Sequence, residues 1–275
     1  MTGFALAGRL ETLLMEPPVT PEAFCAAQPC VPVRAFGTEF ILNQPASSAL
    51  VFALGALWVW AGMAFLRSRG GEASRAWWGA ALVLGGAAAL CAGVSYQAFG
   101  YAIKCAGREA CVWTSWWEVA YLVLQAGSMN AMLAALAHAC ASGRARRALL
   151  WYAGLNAGAH VCLTAVGALV PVRFLVSFEL MVLFAAPGLV IFFAVCGRRY
   201  ARYRQVMDRW LLAAGVWLVI AIAAYFAYMT LGLTQALWAR GVWFSDNDVL
   251  HVFMIVWIAL VARTLGPELK DAPAK

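Results

Sequence analysis

His251 is one of only 3 histidines in a chain of 275 residues, and it lies in the last apolar stretch, Trp243 to Arg263, just after Asp246 and Asp248. Ionisable side chains in so apolar a run are costly and usually face a cavity or a partner. Four other apolar runs carry groups of the same kind: Ser95 and Gln97, then Glu118, His160 and Glu179. Imidazoles and carboxylates are both zinc ligands. A metal held by His251, His160, Glu179 and Asp248 would activate a water for hydrolysis. Ser95, with Gln97, would then orient that water or an oxyanion. Each residue also has a plainer role. Asp246 and Asp248 suit a helix start, Glu118 reaches the membrane surface beside its tryptophans, and Glu179 pairs with Arg173. The histidines hydrogen-bond neighbouring helices, and a serine lets helices approach closely.

The elements that must position these groups follow from composition. The chain is 64% hydrophobic and 12% charged, with a mean hydropathy of +0.77, whereas soluble domains average about 25% charged residues. This predicts an all-α polytopic membrane protein. The apolar runs are continuous, not alternating, which argues against a β-barrel, and the length fits seven spans of about 20 residues. We place them at 46–66, 76–102, 113–139, 148–170, 174–196, 210–233 and 243–263. Trp77 and Trp78, then Trp113, Trp116 and Trp117, read as interfacial anchors. Residues 46–266 form the membrane domain and 267–275 a short tail.

Residues 1–45 read as a cap over one face. Glu11 and Glu16 interrupt the apolar run that a signal peptide would need. Phe4, Leu6, Leu10, Leu13 and Leu14 suit a short interfacial helix, and the prolines at 17, 18, 21, 29 and 32 predict an extended segment. Pro187-Gly188 is the one hint of a broken span.

Orientation follows from the basic residues. The connections holding Arg67 to Arg75, Arg144 to Arg147 and the run Arg198 to Arg209 alternate with connections holding only Lys104, Arg108, Arg173 and Arg240. The positive-inside rule puts the first set in the cytoplasm, hence the N-terminus outside and the C-terminus inside, in a bacterial inner membrane. The net charge of +7 is therefore topology, not nucleic-acid binding; membrane lipids are the expected partners. Cys25, Cys30, Cys105 and Cys111 fall on the outer face, where disulfides form, and their pairing stays open. Cys91, Cys140, Cys162 and Cys196 suit apolar packing. No phosphate loop, zinc-finger spacing or nucleophile elbow is present. Absence of lysine from the spans excludes a retinal Schiff base. At about 1.5 Å per residue, most of the intramembrane polar groups converge in the outer half.

Four stretches, NQPASSALVFALGAL (43–57), GVSYQAFGY (93–101), SWWEVAYLV (115–123) and DNDVLHVFMIVW (246–257), carry a resemblance. Together with the seven-span topology, the chain resembles the alkaline ceramidase-like (CREST) superfamily of membrane hydrolases. That resemblance implies a zinc-dependent cleavage of a lipid amide or ester, with substrate reaching the site from the outer leaflet. It maps the family serine onto Ser95, the assisting acid onto Glu118 and one zinc-binding histidine onto His251, with Gln97 and Tyr101 against the substrate. Two family histidine positions are occupied by Phe99 and Ile255. The rival expectation is a non-catalytic binding or accessory protein that keeps the architecture without the metal.

Overall fold

The computed structural model describes residues 9–35 and 37–273. Seven helices are long and apolar enough to cross a membrane, so the chain is an all-α integral membrane protein. They are α2 (Pro45–Arg67), α3 (Ala73–Ala92, continued by a π-helical turn over Gly93–Ala98), α5 (Trp116–Cys140), α6 (Gly143–Leu169), α7 (Phe178–Tyr203), α8 (Val206–Thr230) and, after the short α9 (Leu233–Trp238), α10 (Asp246–Glu268). Helix α2 packs on α3 and α10, α3 on α5, α5 on α6 and α7, α7 on α8, and α8 on α10. The bundle is thereby closed on itself.

The N-terminal segment is not simply extended. Thr20 caps a short helix, α1 (Pro21–Ala26), whose Pro21 sits where a missing N–H costs nothing. Strands β1 (Cys30–Ala35) and β2 (Thr38–Asn43) then form an antiparallel hairpin with Cys30 opposite Asn43. Pro32 is tolerated because each strand of a two-stranded sheet is an edge. Of the expected N-terminal interfacial helix, Phe4 and Leu6 lie outside the described residues, and Leu14 forms an antiparallel bridge with Val112 instead. Leu10 is buried against Val119, Ala168 and Val176, with Leu13 beside them.

Contacts sort the connections onto two faces. On the cap face, the amides of Met15 and Trp113 donate to Cys111 O and Leu13 O, and that of Cys111 to Val19 O. Arg173 binds Glu16 at 2.8 Å, not Glu179. On the opposite face the C-terminal tail is latched: the Ala73 and Ser74 amides donate to the Asp271 carboxylate at 3.0 and 2.8 Å. Asp271 N in turn donates to Glu72. Ala272 N donates to His138 O, and Arg146 to Ala272 O. Arg75 ties down Leu269 O and Pro267 O.

The core towards the tail face is filled with large side chains. Trp58 of α2 meets Trp257 of α10 with ring centroids 5.1 Å apart, and Trp257 Nε1 donates to Ala214 O of α8. Phe65, Leu82, Leu136, Leu211, Val261 and Leu265 pack around them. Trp78, expected at the interface, is buried in this core, whereas Trp77 is exposed. Helices α2 and α3 touch backbone to backbone through two glycine pairs. A Cβ on Gly62 would lie 2.7 Å from Gly79 O, and one on Gly86 2.7 Å from Gly55 O.

Two connections differ from expectation. The basic loop Arg198 to Arg209 is mostly helical. Helix α7 runs to Tyr203 and α8 starts at Val206, with Arg204 turning the chain at φ 52°. Arg199 bridging to the buried Asp208 at 2.9 Å closes that tight turn. Helix α7 also continues unbroken through Pro187, near which Asn156 donates to Phe184 O at 3.1 Å.

Candidate functional site

The second span ends earlier than its hydropathy suggests, and the reason builds the site. After Ala92 the helix widens into the π turn Gly93–Ala98 and restarts, past Phe99, as the short α4, Gly100–Lys104. Such π turns re-aim side chains and gather at functional positions. Glycine is needed at both ends of the deviation. A Cβ on Gly93 would lie 2.6 Å from Val51 Cγ1, and one on Gly100 2.9 Å from Ser95 O.

The turn aims Ser95 at the start of α5. There Ser115 is the N-cap and accepts from the Glu118 amide. Ser95 Oγ lies 2.7 Å from Ser115 Oγ and 2.8 Å from Glu118 Oε1. A hydroxyl has one proton. With Ser95 donating to the carboxylate, Ser115 must donate to Ser95, and the three residues close a hydrogen-bonded ring. Ser95, Glu118 and Ser115 are all buried.

Lys104, at the end of α4, completes the cluster. Its ammonium forms a salt bridge with Glu118 Oε1, donates to Trp113 O at 3.3 Å and lies 4.7 Å from the centre of the Tyr96 ring. The pairs Cys25–Cys30 and Cys105–Cys111 are disulfides. The second, with Val112 N donating to Lys104 O at 2.9 Å, folds the loop after α4 back so that Lys104 is only 5% exposed. Cys91, Cys140, Cys162 and Cys196 are free thiols.

Lys104 was not singled out by sequence reasoning, which counted it as one of a few outer-face cations. One signal was present: it is the only lysine before the tail, in a chain that otherwise uses arginine.

The remaining expected site residues are dispersed. Asp248 is buried and forms a capping box with Ser245, accepting the Ser245 amide at 2.6 Å. Ser245 Oγ meets Ser47 Oγ of α2 at 3.2 Å, so this polar end of α10 ties two helices together. His251, one turn on, is 8% exposed and its Nδ1 has no partner. His160 is fully buried on α6, with neither ring nitrogen partnered, its ring 5.4 Å from that of Phe184. Glu179 stands exposed in the first turn of α7. Gln97 is buried with Oε1 unpartnered. Tyr101 donates its amide to the buried Asn43 of the hairpin at 2.8 Å.

Among the described residues no three His, Cys, Asp or Glu side chains gather as a metal centre requires. The two positions where the resemblance implies further histidines have packing roles. Phe99 stacks against Phe40 of the hairpin at 5.6 Å, and Ile255 packs on the apolar core. The residues present do not fit the three-imidazole zinc centre that the resemblance implies.

What the structure brings together is therefore the Ser95–Ser115–Glu118–Lys104 cluster. Its hydroxyl protons, its carboxylate Oε1 and its ammonium are all engaged within it. A buried, mutually satisfied ion pair of this kind fixes geometry.

The model of a family of unknown function (DUF6962) matches residues 48–266. That stretch holds all four cluster residues and His251 and leaves out the hairpin and the end of the tail. No curated protein and no solved structure matches the chain.

Proposed function

The chain belongs to the DUF6962 family of unknown function, and from that premise we propose that it is a non-catalytic seven-helix binding or accessory protein of ceramidase-like ancestry. Its N-terminus and disulfides face outward and its arginine-rich connections face the cytoplasm of a bacterial inner membrane. The observation that carries this reading is the state of Glu118. The carboxylate oxygen that would receive a proton from Ser95 already holds the Lys104 ammonium, and His251 is not gathered with it into a metal-binding group. The serine and acid that would assist a metal-bound water in a hydrolase act here as one half of a buried staple between α3, α4 and α5. Distribution of basic residues and the position of both disulfides on the cap face support the orientation.

A second reading, a hydrolase of lipid amides or esters, is favoured by the direct Ser95–Glu118 hydrogen bond at 2.8 Å, because the resemblance pairs those two positions. The two readings separate in one experiment. Protein purified in detergent is assayed for metal content and for hydrolysis of a fluorogenic long-chain N-acyl amine and of the corresponding ester, beside Ser95→Ala. No stoichiometric zinc, iron or manganese and no turnover above the Ser95→Ala background are expected. Turnover that disappears in Ser95→Ala or His251→Ala, with folding intact, would sink the non-catalytic reading.

A further inference from the structure

The turn between α7 and α8 exposes Arg198, Arg202, Arg204 and Arg209, and none of them has an acidic partner among the described residues. The nearest acid in sequence, Asp208, is buried and consumed by Arg199. Three of these guanidinium groups lie over aromatic rings: Arg202 over Tyr203 at 5.4 Å, Arg204 over Tyr200 at 5.5 Å and Arg209 over Trp210 at 5.0 Å. A guanidinium held over a ring by cation–π attraction keeps N–H groups available to other acceptors. Those groups match two phosphate oxygens at once.

The same corner gains two more cations. Arg199 Nη1 donates to Cys140 O at 3.1 Å, three residues before α6 begins at Gly143. The exposed Arg144 and Arg147 therefore start beside the end of α7. Further along the same helices the surface becomes apolar: Trp151 of α6 is 70% exposed and Val190 of α7 is 68% exposed. Cations, then aromatic rings, then aliphatic side chains is the depth profile of a lipid, from headgroup to acyl chain.

We propose that this corner, formed by the start of α6 and the α7–α8 turn, is a docking surface for anionic phospholipid, with the phosphate among the stacked arginines and the acyl chains along α6 and α7. The exposed apolar residues that follow the cations along α6 and α7 favour a lipid over an acidic protein segment, which would need only the charges.

The test is native mass spectrometry of the full chain in detergent, titrated with phosphatidylglycerol or with phosphatidylcholine. The variants are R204Q/R209Q and R67Q/R69Q, which remove equal charge from two turns of the same face. Wild type is expected to retain phosphatidylglycerol in preference to phosphatidylcholine. That retention should weaken on the order of tenfold in R204Q/R209Q and stay unchanged in R67Q/R69Q. R204K/R209K, which keeps charge without the planar fork, should fall between. Equal weakening in both glutamine variants would mean diffuse charge, not a site. Unchanged lipid retention in all variants, as an acidic protein partner would give, overturns the proposal. So does displacement of the lipid by excess inorganic phosphate alone. Unfolding temperatures without added lipid show whether R204Q/R209Q is folded. If it is not, the lysine variant decides, and wild-type affinity there overturns the proposal.

Discussion

Lys104 and Glu118 share a desolvated volume with Ser95, Ser115 and the Tyr96 ring, so neither charge has water to fall back on. Removing one partner leaves the other buried and uncompensated, which typically costs about 3–5 kcal/mol, whereas replacing both by apolar groups of similar size is often close to neutral. Lys104→Met and Glu118→Gln should each lower the unfolding midpoint in detergent sharply, and the double variant should recover most of the loss. Additive effects would mean that the pair is not coupled. Ser95→Ala, which leaves the ion pair standing and removes hydrogen bonds worth about 1 kcal/mol each, should be milder than either charge deletion. His251→Ala forfeits no Nδ1 hydrogen bond, so its cost should be that of the gap left by a buried ring.

Between elements, the sharpest constraint is the glycine contact of α2 with α3. An added methyl on Gly62 meets a backbone carbonyl, Gly79 O, which no rotamer change can move aside. Gly62→Ala should therefore destabilise by about 1–3 kcal/mol, measured by thermal unfolding in one fixed detergent. Gly154, which has open space around it, is the control, and there alanine should be neutral or slightly stabilising. Much at this scale was legible in the sequence. Hydropathy located the seven spans, and the four cysteines expected on the outer face are the ones that pair. Ser95 and Glu118, read on separate spans, meet because both lie near the same face. Legibility stopped where the chain folds back on itself. Nothing periodic marks the π turn at Gly93–Ala98, and only the loop closed by Cys105–Cys111 turns Lys104 from an apparent surface cation into a buried one. Proline spacing hid the hairpin too, since two edge strands accept proline where a sheet interior would not. Arginines 198 to 204 read as loop from their charge alone, although arginine is a good helix former and α7 runs to Tyr203.

For the whole molecule, the latched tail links stability to pH. Burial alone would raise the Asp271 carboxyl above its ordinary value of 3.8, but donors on Ser74 and Ala73, with His138 nearby, outweigh it and hold the carboxyl below that value. The folded value is depressed, so the contribution is complete above the unfolded value and is lost as the pH falls through the folded one. Anisotropy of a dye attached at the C-terminus should stay high from neutral pH down to about 4 and drop below it. Asp271→Asn should flatten the acid transition, and an unchanged transition in that variant would assign it to another group. The latch joins the tail to α3, α5 and α6, while the cap and its disulfides bind the opposite ends of the same helices.

Between these two fastened ends, the tilted indoles of Trp58 and Trp257 lie in the core within a shell of aliphatic side chains. Large side chains packed in this way are expected to block a file of water molecules, and with it any relay of protons or ions. Liposomes carrying the protein should hold an imposed pH difference as long as empty ones. Trp58→Ala, which opens a gap of roughly indole size, is the substitution with which a leak would first be seen.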